Sequence, residues 1–415
     1  MTSSSPALQS SYDHVVVGGG IAADKAARAI REQQEGASIL LVSAAEDGPV
    51  YRPALTKDLW TGEDPDPASQ DLGTADDTGA TLLTGTEVTA IDPQARTVTL
   101  STGESVGYGE LLLATGSAAR TLDGAPEDPR IVTLREVADY RRLRELVGEG
   151  TEVVVVGGGY LGTEIAAGLS VAGASVTLAI SGQAIGESLF PASITAHLGR
   201  VYGGHGVRLE TGFRLAGIEA GERRTLSGED GRTLTAEVAV LALGARLRTE
   251  LARDAGLELD EQGAIVVDPH LRTSVPHVHA AGDVIRFEDP LLGARHVEHI
   301  DHAEVSGTVA GTVMAGGAGG DAEYAYTPLF YSDLFDEGYE AVGRLDGRGE
   351  NVELWDEEGG AAVVHHVEVG RIVGVLLWNT WDSVPAAREL IADSRDGKVD
   401  VADVAALRER IAPGG

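Results

Sequence analysis

The sequence predicts a doubly repeated α/β fold followed by an α+β domain, and three observations carry that prediction. Val15-Val16-Val17-Gly18-Gly19-Gly20-Ile21-Ala22-Ala23 and Val153-Val154-Val155-Val156-Gly157-Gly158-Gly159-Tyr160-Leu161-Gly162 each set a Gly-rich turn between an apolar run and a helix-like stretch. Val278-His279-Ala280-Ala281-Gly282-Asp283-Val284 adds a third strand–Gly–acid element. The Gly-rich stretch Gly316 to Gly320 then marks a linker before a last segment that begins near Ala325.

A strand, a tight turn and a helix start together aim backbone N–H groups and a helix dipole at a pyrophosphate, so each repeat reads as a Rossmann-like unit. Gly18 and Gly157 allow the turn, while Gly20 and Gly159 remove the Cβ that would block the phosphates. Gly162 lets the second helix pack close to its strand, and Ala23 fills that role in the first copy. Two dinucleotide sites in one chain point to electrons passed between them, and so to a flavoprotein.

Composition narrows the chemistry. The 415 residues suffice for two or three domains, and no apolar run approaches the length of a membrane span. Met1 to Ser11 is Ser-rich, without an apolar core or basic flank, so no export signal is read there and a cytoplasmic protein is expected. There is no cysteine, which excludes disulfides, thiolate metal sites and a cysteine redox relay. Electrons must therefore leave a bound flavin directly for an acceptor. The net charge of −33 fits a solvated acidic surface and argues against nucleic acid or an anionic membrane as partners. It also weighs against an acidic electron carrier unless arginines gather at one docking face.

Residues from Tyr12 to Val42 read as strand, turn, helix and strand. Residues 81–116 read as short alternating strands, with turns at Gly103 and Gly107, closing on Ala114-Thr115-Gly116. The second unit runs from Thr151 through Val176-Thr177-Leu178 to Val238 and Gly244, after which the chain returns to the first domain. The expected domains are 1–120 and 246–322 for FAD, 121–245 for NAD(P)H and 323–415 for the C-terminal α+β part.

Further segments extend the match. Tyr51-Arg52-Pro53-Ala54-Leu55-Thr56-Lys57-Asp58-Leu59-Trp60, then Val297-Glu298-His299-Ile300-Asp301-His302-Ala303, then Phe330-Tyr331-Ser332-Asp333-Leu334 and Gly374 to Asn379 resemble the ferredoxin-reductase-like flavoproteins that include apoptosis-inducing factor. The resemblance covers roughly residues 12 to 395. It implies an α/β fold of two Rossmann-like domains, one for FAD and one for NAD(P)H, plus a C-terminal α+β domain, and an NAD(P)H oxidoreductase.

The same resemblance implies residue roles. Lys57 corresponds to the lysine that reaches the flavin N5 edge, with Glu164 as its partner. A cation there stabilises the charge that the ring gains, and the carboxylate limits the cost of burying the cation. Of the 32 lysines and arginines only Lys25, Lys57 and Lys398 are lysines. Arg52 contacts the flavin pyrophosphate or ring, where its fork suits phosphate oxygens. Ala114, Thr115 and Gly116 form the crossing segment. Gly282 and Asp283 form the second flavin motif, with Asp283 on the ribityl chain. Glu298 and His299 lie near the pyrimidine end at a helix start, and Phe330 and Tyr331 lie beside the flavin and nicotinamide or pack in the core. Gly244 passes close to the nicotinamide nucleotide.

No metal is expected. His299 and His302 belong to a flavin motif, and His365-His366 on a strand point to opposite faces. Asp393 to Asp403 lacks two ligands of a calcium loop and reads as a turn into a terminal helix, Val401 to Ile411.

Two departures from the pattern stand out. The acid that binds the FAD adenosine ribose is replaced by Ala44 and Ala45, with Glu46 or Asp47 nearby. After Val176-Thr177-Leu178-Ala179-Ile180 come Ser181 and Gly182, with neither an acid for NADH nor an arginine for a 2′-phosphate; Glu187 and Arg200 are too distant in sequence to assign. The choice between NADH and NADPH stays open on these residues. The expected partners are the nicotinamide nucleotide and an electron acceptor, whether a ferredoxin-type protein, a quinone or an oxygenase; a homodimer is compatible. Two other readings are a redox-sensing interaction protein like apoptosis-inducing factor, and an accessory flavoprotein with a vestigial nicotinamide site.

Overall fold

The computed structural model describes residues 8–62 and 64–415, so residues 1–7 of the Ser-rich start lie outside it. The described residues form two compact units, 8–52 with 67–118 and 246–328, and 53–62 and 64–66 with 119–245 and 329–415.

The first unit is built on a seven-stranded sheet. Ser11–Val17 is its central strand, paired in parallel with Ile39–Val42 on one side and Ser105–Leu113 on the other. The strands are nearly continuous Val and Leu, the pattern of a sheet buried on both faces; Val15, Val16, Leu40, Leu41, Leu111 and Leu112 have no exposed surface. Ile21–Gln33 packs against the Ile300–Ala315 helix along a seam of small residues. A Cβ on Gly307 or Gly311 would meet the backbone oxygens of Ala22 and Ala26 at 2.4 and 2.3 Å, so the two helices approach as closely as backbone permits.

The returning segment enters the same sheet: Val278–Ala280 pairs in parallel with Leu111–Leu113. Gly103 turns with φ +89°, as expected. Gly107 does not turn. It lies inside the Ser105–Leu113 strand, where a Cβ would come within 3.1 Å of the Ser11 Cβ, so the glycine serves close strand approach.

Beside that strand, Glu110 joins two imidazoles, accepting from His277 Nδ1 at 2.8 Å and His279 Nε2 at 3.0 Å. Burial works against the Glu110 charge, and the hydrogen bonds from His279 and His277 outweigh it, so the carboxyl titrates below its ordinary value. A folded-state pKa below the unfolded one stabilises above the unfolded value, and that contribution is lost as pH falls through the folded one. Glu110→Gln is expected to lower Tm at neutral pH, and the gap should narrow as falling pH protonates the Glu110 carboxyl in the folded protein; a Tm gap independent of pH would contradict this.

The second unit has a five-stranded parallel sheet ordered Arg208–Glu210, Ser175–Ala179, Glu152–Val156, Val238–Leu241, Ile131–Val132. The Tyr160–Val171 helix follows the Glu152–Val156 strand through the second Gly-rich turn. The segment 53–66 packs on this helix: a Cβ on Gly168 would meet Thr56 O and Trp60 Cβ, each at 3.1 Å. Tyr140 fastens it further, its hydroxyl donating to Leu59 O and Pro65 O at 3.0 and 2.8 Å and its ring lying edge-on to Trp60.

The C-terminal part is a five-stranded antiparallel sheet backed by the Val384–Arg395 helix. His365 and His366 are both buried on its Ala362–Glu368 strand, and burial pushes each imidazole down to about 4. The final helix spans Val404–Arg410, shorter than expected, because Ala402 N donates to the Asp400 carboxylate and Asp403 N to the Asp400 carbonyl in a turn, before Asp403 caps the helix. The acids of the preceding turn hold cations of the chain itself: Lys398 Nζ lies 3.2 Å from Asp393 and 3.1 Å from Asp396.

Candidate active site

The two Gly-rich turns are built alike, each within its own unit. Gly18 has φ +145° and Gly157 φ +135°. A Cβ on Gly18 would sit 2.1 Å from Ala114 O, and one on Gly157 2.2 Å from Ala242 O. Gly20 and Gly159 cap the two helices in extended conformation and supply no capping side chain. A Cβ on Gly159 would meet nothing within 4 Å, and one on Gly20 would meet only Arg52 Nη1, at 3.9 Å. Both helix starts therefore lack a capping side chain and adjoin a cradle that a Cβ leaves open, which fits a pyrophosphate at each. Ala23 is wholly buried, and Gly162 sits where a Cβ would lie 2.0 Å from Gly157 O.

In the first unit, Ala114 N donates to Val17 O, Thr115 Oγ1 donates to Arg248 O at 2.6 Å, and Gly116 has φ +65°. The Gly282–Asp283 turn is held from three sides. Ser117 Oγ donates to Asp283 Oδ2 at 3.1 Å, and Gly282 N donates to Ser306 Oγ at 3.0 Å. His302 Nε2 donates to Gly282 O at 3.2 Å, which leaves Nδ1 to accept from the Tyr324 hydroxyl at 2.6 Å. Burial pushes His302 down to about 3, so it is a neutral strut. His299 caps the Ile300–Ala315 helix beside exposed Glu298, and burial pushes its imidazole down to about 4 against the pull of Asp283. The open turn, the half-buried Arg52 and the Asp283 carboxylate suit the phosphates and hydroxyls of FAD.

In the second unit, Lys57 and Glu164 meet. Lys57 Nζ lies 3.0 Å from Glu164 Oε1, with 12% and 7% of the two side chains exposed. Glu164 also accepts from Ser332 Oγ on Oε1 and from Thr56 Oγ1 on Oε2, both at 2.6 Å. Three donors offset the cost of burying the carboxylate. The Lys57 ammonium lies 4.7 Å above the Tyr331 ring centre, a cation–π distance. Phe330 packs edge-on to Tyr160 and Tyr339. A cleft lined by Gly158, Gly159, Tyr160, Ile185, Leu334 and Tyr339 opens beside the second Gly-rich turn, and Gly244 turns with φ +94°.

The supports Thr56, Ser332, Ser117, Ser306 and Gly168 have no role assignable from the sequence, because common residues acquire these roles only when distant segments meet. Glu187 is a further case. It folds back on the turn after Ser175–Ala179, where Oε2 accepts from Gln183 N at 2.7 Å and Ala184 N at 3.3 Å. Among the described residues no group of His, Cys, Asp or Glu is placed to hold a metal ion.

Twin Gly-rich turns, each following a central strand paired in parallel on both sides, with a buried Lys–Glu pair, define a two-dinucleotide flavoprotein. The chain belongs to the pyridine nucleotide-disulphide oxidoreductase family, whose model matches residues 12–307. It is 34% identical to the ferredoxin–NAD(+) reductase component of the anthranilate 1,2-dioxygenase system of Burkholderia cepacia, over 91% of this chain and 93% of that protein. It is 30% identical to apoptosis-inducing factor 1 of Dictyostelium discoideum, over 92% of this chain and 79% of that one. Putidaredoxin reductase, from its covalent complex with putidaredoxin, superposes with a TM-score of 0.82 at 26% identity, over 93% of each chain. The protein is an FAD-dependent NAD(P)H oxidoreductase. Lacking cysteine, it cannot use the dithiol for which its family is named.

Proposed function

We propose that this protein carries electrons from a nicotinamide nucleotide to a ferredoxin-type protein serving an oxygenase, with Lys57 and Glu164 at the hydride-transfer step. The near-complete match to a ferredoxin–NAD(+) reductase component supports the acceptor class, and the buried Lys57–Glu164 pair is the observation that carries the chemistry. FAD held at the first Gly-rich turn would supply the hydride acceptor and the means of releasing electrons onward. Glu164, fixed by Thr56 and Ser332, holds the Lys57 ammonium in one place. That ammonium supplies a preset positive charge where negative charge develops, with little reorganisation at the moment of transfer.

Within this reading, 1–120 and 246–322 carry FAD through Gly18, Gly20, Ala23, Arg52, Ala114, Thr115, Gly116, Gly282, Asp283, Glu298 and His299. Residues 121–245 carry the nicotinamide nucleotide through Gly157, Gly159, Gly162 and Gly244, and 323–415 contribute Phe330 and Tyr331. A cytoplasmic setting fits a chain in which no described helix is long and apolar enough to cross a membrane.

Anaerobic stopped-flow mixing of the yellow protein with NADH and with NADPH tests the proposal. Fast bleaching by a nucleotide, then fast return of colour on adding an oxidised ferredoxin, is the expected result. Slow bleaching to a lasting long-wavelength band would instead favour a redox-sensing protein like apoptosis-inducing factor. No bleaching by either nucleotide would mean a vestigial nicotinamide site.

A further inference from the structure

Nucleotide-binding units of this kind usually select NADH with an acid at the end of the second strand, or NADPH with an arginine near that point. Here the Ser175–Ala179 strand runs into Ile180, Ser181 and Gly182, which offer neither. The turn is not left without charge, however. The Glu187 carboxylate lies over Gly182 so closely that a Cβ there would come within 2.7 Å of Oε1. Its Oε2 takes the N–H groups of Gln183 and Ala184, and Oε1 lies 2.7 Å from Arg348 Nη2.

We propose that Glu187 is the residue by which this enzyme selects NADH over NADPH. The inference rests on the oxidoreductase reading above and goes beyond it. Two features carry it. The backbone N–H groups of this turn, which would otherwise suit a 2′-phosphate, already hold a carboxylate. The guanidinium groups at the turn are also matched to acids: Arg348 to Glu187, and Arg232, whose Nη2 would lie 3.7 Å from a Cβ on Gly212, to Asp230 and Glu210. A phosphate entering here meets like charge and displaces a bonded carboxylate. A ribose hydroxyl meets an acceptor, since a carboxylate oxygen bonded to one donor keeps a second lone pair. The Glu187 carboxyl titrates below its ordinary value, chiefly because Gln183 N donates to it, so the charge is present at neutral pH.

The test is calorimetric titration of the FAD-loaded protein with ADP-ribose and with 2′-phospho-ADP-ribose, which requires no turnover. Wild type is expected to prefer ADP-ribose by about tenfold or more, the scale of one close like-charge contact near a protein surface. Glu187→Gln keeps the volume and an acceptor oxygen for Gln183 and Ala184, and should bring the two affinities to within a few-fold. Arg348→Ala removes the compensating cation from an exposed position, and should widen the preference. Equal binding of both probes by wild type overturns the proposal, as does an unchanged ratio in either variant. Should Glu187→Gln fail to fold, Arg348→Ala decides by the same criterion. Loss of flavin reduction with the binding preference intact would count against the oxidoreductase reading alone.

Discussion

Lys57→Met is expected to retain FAD and lose about 10²- to 10³-fold in the rate of flavin reduction by the nicotinamide nucleotide, the scale seen when one preset charge or donor is removed from a reacting centre. Methionine fills a similar volume, so the Tyr331 ring keeps an apolar neighbour. Glu164 keeps its two hydroxyl donors, Thr56 and Ser332, which limits the cost of leaving its charge without a cation. The flavin spectrum reports cofactor retention, and anaerobic stopped-flow absorbance reports the rate. An unchanged rate would remove Lys57 from the hydride-transfer step. Ser332→Ala frees one of the groups that fix Glu164 and should slow the same step by a smaller factor.

Gly18→Ala is expected to be the most damaging single methyl group in the first unit. The residue combines φ +145° with a backbone oxygen 2.1 Å from the new Cβ, so neither a rotamer change nor a side-chain shift relieves it. Strain and overpacking together should cost on the order of 3 kcal/mol. FAD should be lost as well, because the turn that would hold the pyrophosphate must deform. Thermal unfolding and the flavin-to-protein absorbance ratio measure both effects. Gly36→Ala, where a Cβ meets nothing within 4 Å, is the matched control and should leave both unchanged. A Gly18→Ala protein with native Tm and full FAD would mean that the first turn is not the phosphate cradle.

The elements most legible in the sequence are those whose chemistry tolerates few residue types. Both Gly-rich turns, Ala114-Thr115-Gly116 and Gly282-Asp283 stand where the pattern placed them, because close backbone approach and positive φ leave glycine as the residue that fits. The Lys57–Glu164 partnership followed from family resemblance; no local pattern links residues that far apart in the chain. Less legible were features settled by packing. Gly107 looks like a turn in sequence, yet the strand passes straight through it. Glu187 stands too far along the sequence to assign, since the four loop residues between conceal that its carboxylate returns to Gly182. The hydroxyls of Thr56 and Ser332 carry no signal until the segment 53–66 and the C-terminal sheet converge on one helix.

The grouping of 53–66 with the second unit has a consequence for how this protein can be dissected. The chain passes between units at Arg52/Pro53, Asp66/Pro67, Ala118/Ala119, Ala245/Arg246 and Pro328/Leu329. Neither half is a continuous stretch of gene, so no stop codon or single restriction fragment yields one half alone. Truncation therefore cannot separate the two halves, and each must be studied within the whole chain.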